Sequence, residues 1–189
     1  MEFLTDFADQ AVILPAFVAL TLTLLSMQWR HGVLPWTLAV AGTLGFVFLA
    51  KVTTYAFPGL IGAVDGPWAL HSPSGHVASA AILYGGLAVL LLKQRPVALA
   101  LAMGIAIVMA GTRLALQVHT VADVVAGAAL GLVGVAALAT LAPRQPDRLP
   151  RIVLPAVLFT VVVLMHGQRL TAEPTIARIA WRLSRLLES

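Results

Sequence analysis

Two short clusters hold most of the side chains able to do chemistry. One is Pro73, Ser74, Gly75 and His76; the other, about forty residues on, is Arg113, His119 and Asp123. His119 and Asp123 are four apart, so on a helix they share a face and the carboxylate can accept a hydrogen bond from one imidazole nitrogen. That bond fixes the tautomer and leaves the other nitrogen to act as nucleophile or base. Arg113 brings a planar guanidinium, a group suited to a bidentate grip on phosphate. Pro73 and Gly75 shape a turn into a helix whose first N–H groups have no intrahelical partners, and the helix dipole makes that an anion site. Ser74 adds a hydroxyl donor, His76 a proton carrier, and Lys51 a further positive charge.

Each residue alone has a plainer reading. Lys51 and Arg113 can snorkel at a membrane boundary, His31 fits an interface, and His166 fits a hydrogen bond between helices. Together, in a chain with only 11% charged residues, they mark a functional site, because ionisable groups at membrane depth are costly. Three histidines and an aspartate are also a possible zinc set, but the lysine and arginine beside them favour an anion and no metal.

The elements that must position these residues are apolar. The chain is 60% hydrophobic with a mean hydropathy of +0.95, outside the soluble globular class. Six stretches are long enough to cross a bilayer: 11–29, 33–55, 76–93, 96–114, 119–142 and 152–168. The expected fold is therefore all-α, an integral-membrane six-helix bundle with short loops. Residues 1–189 form one membrane domain, with 11–168 as transmembrane core and 169–189 as an amphipathic tail. The absence of cysteine excludes disulfides, thiol catalysis and thiolate metal sites. The net charge of +4 sits in connections and tail, a pattern that orients membrane proteins and does not call for nucleic acid.

Connections at one end carry Arg30, Lys93, Arg95, Arg144, Arg148 and Arg151, which assigns that end to the cytoplasm and both motif-bearing connections to the outside. The tail conflicts with this assignment, since Arg169, Arg178, Arg182 and Arg185 would lie outside. From Thr175 on it reads as an amphipathic helix in the headgroup region. Gly127, Gly131 and Gly134 form a small-residue surface for close packing within the bundle, or for dimerisation.

At these motifs the sequence resembles the type 2 phosphatidic acid phosphatase family, whose fold is shared with vanadium haloperoxidases. The family's Pro-Ser-Gly-His motif is intact at 73–76. Its Ser-Arg-x5-His-x3-Asp motif appears with Thr112 for Ser, then Arg113, His119 and Asp123. Its first motif, Lys-x6-Arg-Pro, keeps Lys51 but has Pro58 where the arginine is expected. The resemblance implies a cofactor-free hydrolase of lipid phosphates in the bilayer. His119 would be the nucleophile, Asp123 its orienting group and His76 the acid and base. Lys51, Arg113, Ser74 and Gly75 would bind phosphate, with His71 as a possible accessory for the missing arginine. The substrate class would be undecaprenyl pyrophosphate, phosphatidic acid or phosphatidylglycerol phosphate. The location would be a bacterial inner membrane, with the site on the periplasmic or outer side. A lipid phosphotransferase and a non-catalytic lipid-phosphate binder or transporter are the alternatives.

Overall fold

Backbone N–H and C=O groups in so apolar a chain must be satisfied internally, and a helix does this within one segment. The computed structural model describes residues 1–57, 66, 68–143, 146, 150–170 and 172–187, and they contain helices and no strand. A short α1 (Glu2–Asp6) leads into α2 (Gln10–Ser26) and α3 (Arg30–Ala56). Next come α4 (Gly75–Ala80), a π-helical stretch (Ala81–Gly85) and α5 (Gly86–Leu91), which run on as one rod. They are followed by α6 (Arg95–Ala115), α7 (Val121–Leu141), α8 (Val153–Met165) and α9 (Glu173–Leu187).

The all-helical class agrees with expectation, but the count of six spans is not exact. Four helices are long and apolar enough to cross a bilayer: Glu2–Ser26, Arg30–Ala56, Arg95–Ala115 and Val121–Leu141. The expected spans 76–93 and 152–168 are the shorter helices Gly75–Leu91 and Val153–Met165. The latter has 13 residues, about 20 Å of helix against a hydrocarbon core of roughly 30 Å. Hydropathy reads straight on past its end, whereas the backbone breaks at Gly167, which takes a positive φ of 83°.

The rod Gly75–Leu91 is the centre of the bundle, with Val77, Ala78, Ala80, Ala81, Ile82 and Leu83 all fully buried. Three close approaches on α7 seat it. A Cβ on Gly127 would strike the Ser74 carbonyl, one on Gly131 would meet Ala78 and Ala81, and one on Gly134 would meet Ile82 of the rod and Thr43 of α3. The small-residue surface therefore packs within the bundle.

Away from the motifs, Leu20, Leu24, Trp36, Leu83, Leu138 and Leu154 fill one core. The Arg95 guanidinium closes that end by donating to the carbonyls of Val89 (2.9 Å) and Ala142 (2.7 Å). α8 packs beside α2 and returns the chain to the motif-bearing end. There His166 Nε2 lies 3.1 Å from the Phe3 carbonyl, and Arg169 donates to Glu2 and Asp6. His166 thus takes the inter-helix role expected of it. The tail docks back onto the motif-bearing end of α3, Ile176 and Ala180 packing with Val52 and Ala56.

Candidate active site

Thr120 starts α7 with a capping box: its hydroxyl accepts from the Asp123 N–H, and the Asp123 carboxylate accepts from the Thr120 N–H. Asp123 is therefore fixed in the first helical turn. Its Oδ2 also lies 3.2 Å from His119 Nδ1. A carboxylate can only accept, so Nδ1 carries the proton and Nε2 is the nitrogen left to act. Just upstream, Gln117 takes a left-handed conformation (φ 54°), the tight reversal that brings the end of α6 and Arg113 back beside His119.

The same aspartate ties down the other motif. Its Oδ1 accepts from the backbone N–H groups of His71 and Ser72, both at 2.9 Å, and its carbonyl accepts from the Ser74 N–H at 2.9 Å. The Thr120 hydroxyl donates to the Ala69 carbonyl at 2.6 Å. These bonds hold 69–74 across the start of α7 and aim the first turn of α4 at His119. Ser74 is fully buried at the N-cap of α4, yet its hydroxyl does not cap the helix and has no hydrogen-bond partner. The buried Arg113 Nε is likewise without one. Buried unsatisfied donors are rare and ask for an explanation; Arg113 lines both cavities of the site, whereas Ser74 lines neither.

Lys51 is 4% exposed near the end of α3, with its ammonium 3.5 Å from the Ser72 hydroxyl. Lys51, Gly75, His76, Arg113 and His119 line a cavity of about 410 Å³. Between α2 and α3 the cavity continues along Ile13, Leu14, Leu44 and Phe48, of which Leu14 and Phe48 are exposed on the outer surface. A second cavity of about 500 Å³ opens beside it and shares Arg113 and His119. His71 lines only the second, with its ring largely exposed and 4.0 Å from Asp123 Oδ2. Pro58, at the position of the expected first-motif arginine, lies outside the described residues, as do Arg144 and Arg148.

Two acidic residues in the first cavity escaped the sequence reading. Asp9 caps α2 by accepting from the Ala11 N–H, accepts also from the Leu170 N–H, and has its other oxygen 4.0 Å from His76 Nε2. Glu173, on the first turn of α9, accepts from Lys51 Nζ at 2.5 Å and from the Tyr55 hydroxyl at 2.9 Å. Neither has a local spacing partner in the sequence. Asp9 had one visible signal, its place as an N-cap before an apolar run. Among the described residues, no group of three or more histidine and acidic side chains is set to hold a metal ion.

Burial pushes the His119 imidazole below its ordinary pKa, with the Lys51 and Arg113 charges acting the same way and the Asp123 hydrogen bond opposing them. The ring is thereby kept neutral, the form a nucleophile needs.

The model of the PAP2 superfamily matches residues 34–147, more than half of the 189-residue chain. The chain belongs to the PAP2 superfamily. Neither a curated protein nor a solved structure matches it. Membership makes this protein, in general terms, a phosphatase-type hydrolase of lipid phosphates. The match takes in Lys51 and both motifs, and leaves Asp9 and Glu173 outside it. The PAP2 match thus covers Lys51, His76, Arg113, His119 and Asp123, while the two extra carboxylates lie in the segments that flank it.

Proposed function

We propose that this PAP2 protein removes phosphate from a phosphomonoester or pyrophosphate on a membrane lipid, through a phosphohistidine on His119. His119 Nε2 attacks phosphorus in line; the N–P bond forms as the bond to the lipid oxygen breaks, and His76 gives that oxygen its proton. The imidazolium formed is stabilised by Asp123 through Nδ1. Water then attacks phosphorus, His76 takes its proton, and cleavage of the N–P bond frees phosphate and neutral His119. Lys51, Arg113, the Ser74 hydroxyl and the N–H groups of Gly75 and His76 hold the phosphoryl oxygens as charge develops, with His71 an accessory from the second cavity.

One observation carries this reading: the Asp123-oriented imidazole lies beside a cavity lined by two cations, one of which, Arg113, has a buried Nε without a partner. Binding alone needs no oriented nucleophile. The apolar continuation past Leu14 and Phe48 favours a lipid substrate, since an acyl or isoprenoid chain lies there at no hydration cost. The decisive assay is phosphate release from lipid phosphates in detergent, with and without EDTA. Turnover that survives EDTA and is lost in His119→Ala supports the mechanism, and turnover by His119→Ala overturns it.

The orientation proposed is site outward, in a bacterial inner membrane. A cysteine at the exposed Gln117, in a chain with none of its own, is expected to react with an impermeant maleimide in intact cells. Labelling only after the membrane is opened reverses the topology.

A further inference from the structure

An anion already occupies part of the site given to phosphate. The Glu173 carboxylate accepts from Lys51 and Tyr55, and it lines both cavities together with Arg113 and His119. It therefore stands among the groups assigned to the phosphoryl oxygens. A carboxylate and a phosphoryl group make the same demand, paired anionic oxygens seeking charged donors. Holding both on the Lys51 ammonium at once is disfavoured, because the two anions repel at such range. The partners differ in exposure: the Lys51 side chain is 5% exposed and that of Glu173 49%. Lys51 has no water to turn to, whereas Glu173 does, so Glu173 is the one that yields. It rides on α9, held to α3 by the small patch of Ile176 and Ala180 on Val52 and Ala56.

We propose that Glu173 is an internal competitor for Lys51 that sets the affinity threshold of the phosphate site, so that a phosphate ligand is held only if it binds strongly enough to displace the carboxylate. This rests on the reading of Lys51 as a phosphate ligand. The physical problem is severe for a site in a bilayer, since the surrounding phospholipids are monoanionic diesters at very high local concentration. A monoester or pyrophosphate brings more charge and more free oxygens to Lys51 and Arg113 than a diester does, so it displaces the carboxylate more readily. Competition divides every affinity by the same factor, the reciprocal of the fraction of molecules with Lys51 free. The ratio of monoester to diester affinity is unchanged; what falls is occupancy of the site by any ligand too weak to displace the carboxylate.

The test is Glu173→Gln, which keeps the side-chain shape and removes the charge. KM for a short-chain phosphatidic acid, and the inhibition constant of phosphatidylglycerol in the same mixed micelles, are both expected to fall about ten-fold, by a common factor. Tyr55→Phe, which frees one carboxylate oxygen, is expected to move both constants the same way by less. In a Lys51→Ala background, Glu173→Gln is expected to change neither. An unchanged or raised KM in Glu173→Gln overturns the proposal, as does an effect that persists without Lys51. If the wild type releases phosphate from no lipid, it is the hydrolase reading that fails. Calorimetric binding of inorganic phosphate then decides the present point alone: tighter binding by Glu173→Gln supports it, and equal binding overturns it.

Discussion

The two halves of the site are built by different means. The His119 half is local: the proposed nucleophile, its orienting carboxylate and the cap lie within 119–123, and one capping box fixes their geometry. The Lys51 half is assembled from afar, since the lysine meets Ser72 across 21 residues and Glu173 across 122. Asp123 joins the halves by holding the backbone at His71, Ser72 and Ser74. A local half is set once its helix forms. An assembled half exists only when the whole bundle has closed, and it is the half that a remote segment can modulate.

That contrast predicts graded losses. The largest falls on the local half, where His119→Ala is expected to remove at least a thousand-fold of kcat in phosphate release. Its melting temperature should stay near that of the wild type, because the ring makes one hydrogen bond, to Asp123. Asp123→Asn comes next, with a loss of roughly a hundred-fold or more in kcat. A lower melting temperature should accompany it, since an amide oxygen is a weaker acceptor for the bonds from His71 and Ser72. Retained stability in this variant would break the claim that Asp123 joins the halves.

Lys51→Ala tests the assembled half, with an expected loss of about 2–4 kcal/mol in kcat/KM. An unchanged kcat/KM would leave phosphate binding to Arg113 and His71. Gly127→Ala probes the junction without touching a reactive group, because its Cβ must displace the Ser74 carbonyl. About 1–3 kcal/mol of stability should be lost, read by thermal unfolding in detergent.

The smallest effect concerns pH. In the proposed mechanism neutral His119 is the active form, and burial lowers its pKa, so the acid limb of kcat/KM should fall below 6.5. Asp123→Asn removes the carboxylate charge and weakens the hydrogen bond, the two interactions that raise this pKa, and should move the limb lower still. A limb above 6.5 would show that some other group controls the acid side.

Much of the site was readable because its logic is short-range. The four-residue spacing of His119 and Asp123, the Pro-Ser-Gly-His turn and a lysine ending an apolar run are written in consecutive residues, and helical periodicity turns that spacing into contact. Hydropathy likewise determined an all-helical membrane protein, because backbone groups without water leave few other solutions. Tertiary structure alone decided what sequence distance conceals. It brought Glu173 to Lys51 and Asp9 to within 4.0 Å of His76, left α8 too short to count as a full span, and turned Gly127 into the seat of the Ser74 loop. The reason is physical: helical spacing is fixed by bonds within one segment, whereas the meeting of α9 with α3 depends on the packing of Ile176 and Ala180 against Val52 and Ala56, which no local pattern in the chain encodes.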